Sequence, residues 1–430
     1  MKNYKTVRGT YDILPQDVRK WQALEKTIFD ICKVYDYQEI RTPIFEDTAV
    51  FKRENDTSDM VNKEMYTFSI NDKDSLTLRP EGTAGVVRSY VEHKYYAAAD
   101  LPQKFYYYGP MFRYERPQKG RQRMFHQFGV ENIGMKDPII DAETIAFGYT
   151  ILKAINISGV KVLINTLGDA ESREAYKAAL KEHFKDNLDE LCFDCNNRYE
   201  TNPLRLLDCK VDHELEIMKS VPKYSDYLTA ESKDYFDKVL TNLDALEIPY
   251  EIDEKLVRGL DYYSDTVFEV VSLNKDSGSQ ATIFAGGRYD NLVNYFNGPE
   301  QSGIGFAMGM ERLLILAEAE GIELVDDKEI DCYVMSMGEV GTLPLEVATI
   351  LRAYGFVTEF NIAKRSMKAQ FKSVDRYKAN FAIIIGEDEA INQQLTVKNL
   401  ISKEQKVIKF EEIIDYIDEE MEKINETHSH

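Results

Sequence analysis

The sequence predicts an α+β fold with an antiparallel core sheet, followed by a small α/β domain. Two observations favour this class. Between residues 1 and 168, strand-like and helix-like segments follow one another without the regular alternation of a doubly wound parallel sheet. From Asp331 onward, short strand-like segments are interleaved with two helical ones. The first region therefore fits an antiparallel α+β core, and the second a separate α/β domain.

A third region has a different texture. Residues 169–249 consist of charged, amphipathic helical segments with little strand-like alternation, which indicates a helical insertion in the core. The expected domains are thus a core of 1–168 and 250–325, an insertion of 169–249 and a C-terminal domain of 331–425.

The N-terminal segments set up the core. Apolar residues recur at three- and four-residue steps from Val18 to Tyr35, which predicts a helix with one apolar face. The strand predicted next, 37–45, carries Pro43 and so belongs at a sheet edge or an interface. A short strand from Leu76 then meets a Pro-Glu-Gly-Thr stop before the next helix, which exposes Glu81 and Thr83 at the strand end.

Residues 109–131 are predicted to form a hairpin. Two aromatic-rich arms, 105–114 and 123–131, flank a turn marked by Pro117 and Gly120. Basic residues concentrate around the turn: Arg113, Arg116, Lys119, Arg121 and Arg123. Arginine suits phosphate binding because its planar fork holds two oxygens at once and its flat face stacks on a base. The alternative is a solvated basic turn.

Composition bounds the protein class. The chain has 430 residues, 43% of them hydrophobic, which fits a globular protein of several domains. Its 53 Lys and Arg against 74 Asp and Glu give a net charge of −21, so any polyanion must bind at local basic patches. There is no apolar leader and no apolar run of about 18 residues, so we expect a cytoplasmic protein without membrane contact.

The five cysteines do not suggest a disulfide framework. Cys192, Cys195, Cys209 and His213 have the ligand types and pairwise spacing of a structural zinc site. The alternative, which we favour at this level, is that no metal binds and the cysteines pack as small apolar residues.

The C-terminal domain carries a basic stripe. Lysine and arginine recur mostly at three- or four-residue spacing on a predicted helix: Lys364, Arg365, Lys368, Lys372 and Arg376. The alternative is a solvated helix face.

Four segments together resemble one family, the histidyl-tRNA synthetases: the hairpin, the Pro-Glu-Gly-Thr stop, Arg-Gly-Leu-Asp-Tyr-Tyr at 258–263 and Gly-Met-Glu-Arg at 309–312. They include the three signatures of class II aminoacyl-tRNA synthetases and two stretches peculiar to the histidine enzymes. The resemblance implies a six-stranded antiparallel catalytic sheet with a helical insertion, and an anticodon-binding C-terminal domain. It also implies a homodimer that activates L-histidine with ATP and transfers it to tRNA(His). No residue cluster suggests a dedicated magnesium site, so Mg²⁺ is expected to arrive with ATP.

The resemblance assigns the ATP residues. In the activation step the histidine carboxylate attacks the α-phosphate of ATP, and negative charge grows on phosphorus. Arg113 and Arg258 are the catalytic cations expected there. Arg121 is expected on the outer phosphates, with Arg312 and Phe125 on either side of adenine. Taken alone, Arg258 could instead be a core arginine paired with Asp261.

It also assigns a histidine pocket. A neutral imidazole offers one N–H donor and one bare nitrogen, so the pocket must present both polar functions. Glu131 and Tyr263 are expected at the ring nitrogens. The ammonium group and the pocket walls are assigned to Glu81, Thr83, Gln127, Tyr262 and Tyr289.

For tRNA, the resemblance points to the basic stripe and to the hairpin tip, Arg116 and Lys119 included. Two rivals remain. The regulatory subunit of ATP phosphoribosyltransferase shares this core, but would lack the C-terminal domain and the phosphate-directed arginines. A class II synthetase for proline or threonine would not present Glu131 and Tyr263.

Overall fold

A computed structural model describes residues 3–53, 58, 60–71, 74–257, 262–274, 282–325, 330–362 and 365–428. Arg258 and Lys364 lie outside the described residues. The chain forms two compact units, Met1–Val325 and Asp326–His430. No described helix combines the length and apolar character needed to cross a membrane.

The helices of the first unit are α1 (Pro15–Val34), α2 (Thr48–Phe51), α3 (Thr83–Glu92), α4 (Pro138–Ala154), α5 (Ala170–Phe184), α6 (Phe193–Thr201), α7 (Glu216–Lys219), α8 (Ala230–Ala245), α9 (Leu292–Tyr295) and α10 (Met310–Ala319). Its strands are β1 (Gln38–Glu39), β2 (Phe45–Asp47), β3 (Tyr66–Phe68), β4 (Leu76–Leu78), β5 (Gln103–Phe112), β6 (Met124–Ile133), β7 (Val160–Thr166), β8 (Tyr250–Ile252), β9 (Ser264–Ser272), β10 (Thr282–Arg288) and β11 (Gly303–Gly309).

The core sheet corrects one expectation. It has eight strands in the order β1-β5-β6-β11-β10-β9-β7-β8, so the prediction of a six-stranded antiparallel sheet is wrong for the sheet as a whole. The six central strands, from β5 to β7 in the order of the sheet, pair antiparallel with one another. At the two edges, β1 pairs with β5 and β8 pairs with β7 in parallel. Strand β1 lies within the predicted strand 37–45, but strands of two and three residues are too short for a periodic pattern to indicate which strand they pair with.

The long strands divide their side chains between two faces. In β6, Phe128 and Val130 pack into a core beneath the sheet formed largely with α1 and α4. The alternating residues Phe125, Gln127 and Glu131 must point the other way because successive side chains of a strand alternate between faces. That opposite face carries the candidate site.

The region 169–249 is helical in its described structure. Helices α5, α6, α7 and α8 and short helical turns lie between β7 and β8. Helices α5, α6 and α7 share a small apolar core that includes Tyr176, Leu180, Phe184, Cys195 and Cys209, whereas α8 packs into the core beneath the sheet.

The second unit contains β12 (Cys332–Ser336), α11 (Leu343–Ala353), β13 (Thr358–Phe360), α12 (Met367–Tyr377), β14 (Phe381–Ile385), α13 (Glu387–Asn392), β15 (Gln394–Asn399), β16 (Gln405–Lys409) and α14 (Ile413–His428). Its sheet has the order β13-β12-β14-β15-β16. The strands β13, β12 and β14 are parallel, whereas β15 and β16 are added antiparallel.

Candidate active site

One cavity of about 290 Å³ on the open face of the core sheet gathers the predicted small-molecule residues. Every one of them that the structure describes lines it: Glu81, Thr83, Arg113, Arg121, Phe125, Gln127, Glu131, Tyr262, Tyr263, Tyr289 and Arg312. The prediction for Arg258 falls outside the described residues. Three of these side chains lie on β6, two lie near the starts of α3 and α10, and the others lie in the loops that join the elements.

Glu81 occupies the turn between β4 and α3. Its carboxylate accepts hydrogen bonds from the backbone N–H groups of Thr83 at 3.1 Å and Ala84 at 3.0 Å. The Pro-Glu-Gly-Thr stop thereby places a buried carboxylate at the N-terminus of a helix, where negative charge is stabilised. The Tyr262 hydroxyl donates to the same carboxylate at 3.4 Å.

Glu131 is the most deeply buried carboxylate of the cavity. It is fully buried on β6, and one of its oxygens, Oε2, accepts a hydrogen bond from the Tyr289 hydroxyl at 2.5 Å. The other oxygen, Oε1, has no hydrogen-bond partner among the residues described. Burial raises the pKa of Glu131 to about 8, more than its hydrogen bonding lowers it.

Gly305 makes room for this carboxylate. It lies directly opposite Glu131 in the pairing of β11 with β6. A side chain there would overlap the Glu131 carboxylate and the Val130 carbonyl oxygen. The glycine of the sequence motif is therefore required by the close approach of Glu131.

Two further polar atoms at this end are buried without a partner in the described structure. They are Oε1 of Gln127 and the hydroxyl of Tyr107. Buried polar groups are normally paired, so the unpaired oxygen of Gln127, which lines the cavity, marks a place for a ligand. Tyr107 lies on the same face of β5 as Gly109 and Met111 but does not line the cavity.

The other end of the cavity is rich in arginine. Arg113 follows β5, donates through Nε to the Pro80 carbonyl at 2.8 Å, and lies 5.3 Å from the centre of the Phe125 ring. Arg312, near the start of α10, donates to the carbonyl oxygens of Gly120 at 3.3 Å and Thr282 at 3.1 Å. The pKa of Arg312 is lowered by burial and then by the charges of Arg121 and Arg113.

Carboxylates that the sequence did not single out complete this end. Glu115 forms an ion pair with Arg121, and Glu269 accepts a hydrogen bond from the Thr282 hydroxyl at 3.0 Å. Glu311 accepts the backbone N–H of His126 at 2.9 Å and the Tyr11 hydroxyl at 3.2 Å. Glu311 stands beside Arg312 in the Gly-Met-Glu-Arg motif, which was the signal for it.

The cysteine prediction is partly wrong. Cys192, Cys195 and Cys209 do come together, but the fourth member of the group is Asp212, not His213. His213 is exposed and pairs with Glu214 at 3.2 Å. Adjacent residues in a turn point in different directions, so ligand spacing alone could not choose between the two.

The predicted tRNA contacts lie on the surface of their units. Arg116 and Lys119 are exposed in the loop between β5 and β6. Arg365 precedes α12, and Lys368 and Lys372 lie on it, all exposed. Lys364 lies outside the described part of the chain.

Comparison with known proteins agrees with this geometry. A family model described as histidyl-tRNA synthetase matches residues 9–313, and one described as an anticodon-binding domain matches residues 331–420. The histidine–tRNA ligase of Geobacillus thermodenitrificans is 50% identical over 416 residues, covering 96% of this chain and 98% of that protein.

Solved structures are similar as well. The apo histidyl-tRNA synthetase of S. aureus is 40% identical, with a TM-score of 0.83, covering 96% of this chain and all of that one. A Bacillus halodurans protein described as an ATP phosphoribosyltransferase regulatory subunit/histidyl-tRNA synthetase has a TM-score of 0.64 at 21% identity, with 89% of this chain and 98% of that one covered, and so shares the fold. On the full-length relatives and the matching family model, this chain belongs to the histidyl-tRNA synthetase family.

Proposed function

We propose that this protein is a histidine–tRNA ligase that forms histidyl-adenylate from L-histidine and ATP, releases pyrophosphate, and transfers histidine to the 3′ end of tRNA(His). The observation that carries the proposal is the polarity of the cavity. One end holds buried polar atoms without partners, and the other end holds three guanidinium groups. A zwitterionic amino acid and a polyphosphate need these two environments side by side.

In the activation step, Arg113 is the described cation best placed for the α-phosphate. Its hydrogen bond to the Pro80 carbonyl joins it to the turn that carries Glu81. The residues that bind the phosphate and the ammonium group are therefore fixed relative to each other. We assign Arg258 the same role from the resemblance. Arg121 binds the outer phosphates, and Arg312 and Phe125 hold adenine. These cations stabilise charge that grows on phosphorus as the carboxylate attacks.

In the histidine pocket, Glu131 reads one ring nitrogen through its free Oε1, and Tyr263 reads the other. The free Oε1 of Gln127 accepts the α-ammonium together with Glu81 and Thr83, while Tyr262 and Tyr289 form the walls. A side chain lacking both ring nitrogens would leave Glu131 buried and unpaired. Comparable pockets reject such substrates by a factor of about 10⁴.

Mg²⁺ fits the carboxylates of this cavity. Glu115 and Glu269 line it and offer the oxygen ligands that magnesium prefers. Among the described residues, the only group of three or more close metal-ligating side chains is the cysteine group, so the cavity has no complete protein cage. Magnesium bound with ATP would neutralise the phosphate oxygens and orient the pyrophosphate.

We assign tRNA binding to two places. The region 331–425, which includes the matched anticodon-binding domain, presents Lys364, Arg365, Lys368 and Lys372 to the anticodon arm. The tip of the hairpin, with Arg116 and Lys119, meets the acceptor end. Deleting residues 116–120 is expected to reduce transfer to tRNA more than activation, measured by aminoacylation against pyrophosphate exchange.

The regulatory-subunit alternative is disfavoured by two features. Arg113, Arg121 and Arg312 all line the cavity, although a histidine sensor has no need of phosphate cations. The anticodon-binding match over 331–420 is the domain that such a subunit would lack.

We further propose a homodimer acting in the cytoplasm. Ile44, Phe45 and Phe68 are 45%, 53% and 39% exposed around β2 and β3, near the Pro43 segment. Exposed apolar residues grouped in this way suit an interface between copies. All five cysteines are free, which fits a reducing compartment. Light scattering after size exclusion should give twice the chain mass, and Phe45→Glu should lower it.

Amino-acid-dependent ATP–pyrophosphate exchange tests the function. A panel of amino acids should give exchange with histidine alone. Exchange with none would refute the enzyme, and exchange with another amino acid would refute the histidine pocket.

A further inference from the structure

We propose that the insertion holds one structural zinc ion, bound by the thiolates of Cys192, Cys195 and Cys209 and the carboxylate of Asp212. This site is separate from the ATP and histidine cavity, and nothing in the proposed activity requires it. It rests on the geometry of the four side chains.

The first support is the spacing of the ligand atoms. One ligand atom from each of the four side chains lies within 4.8 Å of all the others. The sulfur atoms of Cys192 and Cys209 are 3.8 Å apart. Zinc–sulfur bonds of about 2.3 Å in a regular tetrahedron place two sulfur atoms about 3.8 Å apart. The pair therefore already has the separation that a shared zinc ion would impose.

The second support is burial. Cys195 is fully buried, and Cys209 and Asp212 are 5% and 4% exposed. The Asp212 carboxylate accepts a hydrogen bond from the backbone N–H of Cys192 and lies among the three cysteine side chains. Buried charged groups are normally paired or coordinate a metal. A divalent cation bound by these four groups would take the place of the thiol protons, because cysteine binds metal as the thiolate.

The third support is the hydrogen bonding around the ligands. The backbone N–H of Cys192 donates to Asp212 Oδ2 at 3.0 Å, and the backbone N–H of Asp212 donates to Cys209 Sγ at 3.4 Å. In a metal site, hydrogen bonds of this kind orient the ligands and stabilise their charge. They also fix Asp212 in the group while its neighbour His213 stays outside it.

The site would explain how α6 is held. Among its nine residues, Cys195 is the only one classed as buried, and Phe193 is 81% exposed. A helix of this length with so little buried apolar surface has weak packing of its own. Zinc would tie its first turn, through Cys192 and Cys195, to the turn at 209–212.

The chemistry favours zinc among the common metals. Three thiolates and a carboxylate that lie within 4.8 Å of one another suit a closed tetrahedral site, whereas magnesium and calcium require oxygen ligands. A ligand set of this kind with no open position is structural.

The test is the metal content of the full chain, purified without metal-affinity resin or chelator. Mass spectrometry of the metals should give about one zinc per chain. Replacing zinc by Co²⁺ should give the visible absorption of tetrahedral thiolate-bound cobalt. Wild-type protein that carries less than one tenth of a zinc per chain, even after incubation with Zn²⁺ and removal of the excess, would overturn the proposal.

Two variants locate the site. Cys195→Ser should lower the zinc content at least tenfold, and His213→Ala, a neighbour of the ligand Asp212, should leave it unchanged. Zinc lost from His213→Ala and kept by Cys195→Ser would also overturn the proposal. If Cys195→Ser fails to fold, the alkylation rates of the wild-type cysteines test the site instead. Zinc should protect Cys192, Cys195 and Cys209. Removing it with a chelator should therefore raise their alkylation rates at least tenfold, while the rates of Cys32 and Cys332 stay the same. Equal alkylation rates with and without chelator would count against the site.

Discussion

The Tyr289 hydroxyl donates a 2.5 Å hydrogen bond to one oxygen of the Glu131 carboxylate, and the other oxygen faces the cavity without a partner among the described residues. The Glu131 carboxylate is thus held in place by Tyr289 and still has one oxygen free to bind a ligand. Tyr289 reaches it from the residue after β10, while Glu131 belongs to β6, with β11 between the two strands. The orientation of Glu131 therefore depends on three neighbouring strands at once.

The raised pKa of Glu131 predicts a pH-dependent stability. Folding raises this pKa from 4.5 to about 8 through burial, so the folded state binds the extra proton between these values. The stabilisation is complete below about pH 4.5 and is lost as the pH rises through about 8. The melting temperature of the wild type relative to Glu131→Gln should fall steadily across this range, because other groups cancel in the difference. A flat difference between pH 5 and 8 would show that Glu131 does not titrate in this way.

Tyr289→Phe should weaken histidine binding. It removes the donor that orients Glu131, and leaving a buried acceptor without its partner costs about 1–3 kcal/mol. We expect the KM for histidine in pyrophosphate exchange to rise about tenfold or more, with the KM for ATP nearly unchanged. Tyr295→Phe is the matched control, since that hydroxyl donates at 2.9 Å to the Ala49 carbonyl and does not line the cavity. Equal effects of the two variants would refute the role of Tyr289.

Arg113→Gln should slow activation. Removing one preorganised donor to a developing charge costs about 10²–10³-fold in turnover. The reduction should appear in the kcat of pyrophosphate exchange, while histidine binding measured by calorimetry is retained. Arg123→Gln loses the same charge from the same hairpin, but its guanidinium lies 3.9 Å from the Tyr114 ring centre and does not line the cavity. A loss as large in Arg123→Gln would mean that the hairpin fold, and not the phosphate contact, is being measured.

Gly305→Ala should be destabilising. The added methyl group would meet the Glu131 carboxylate and the Val130 carbonyl oxygen, and overpacking of this kind costs about 1–3 kcal/mol. Urea unfolding should show a lower midpoint. At Gly309 of the same strand the nearest atom is Arg312 Cδ at 3.7 Å, an ordinary contact, so Gly309→Ala should unfold at nearly the wild-type midpoint. An unchanged midpoint in Gly305→Ala would contradict the close approach.

Charge reversal on α12 should weaken tRNA binding. Lys368→Glu and Lys372→Glu replace two exposed cations, and each lost phosphate contact lowers the salt dependence of binding by about one unit of slope. Affinity for tRNA(His) should fall while pyrophosphate exchange is unchanged. Lys409→Glu, an exposed lysine elsewhere in the same unit, makes the same charge change and should have a smaller effect. Wild-type tRNA affinity in the double variant would show that this stripe is only a solvated surface.

Much of the candidate site could be predicted from the sequence because it is local or periodic. Phe125, Gln127 and Glu131 alternate along one strand, so they face the same side whatever surrounds that strand. The Pro-Glu-Gly-Thr stop places Glu81 at a helix start by its own turn chemistry. The motif arginines then predict where anions bind.

Other features required the tertiary structure because they arise between residues far apart in the chain. Two short edge strands make the core sheet mixed, and their parallel pairing depends on partners more than 60 residues away. Asp212 joins the cysteine group in place of His213 because of the way the turn packs, which spacing does not encode. The pKa of Glu131 is set by burial, to which β11 and Tyr289 contribute from the other half of the core. The sequence by itself determined which chemical groups are present and on which face of each element they lie, whereas tertiary packing decided which of them meet, which stay unpaired, and hence which can bind a ligand.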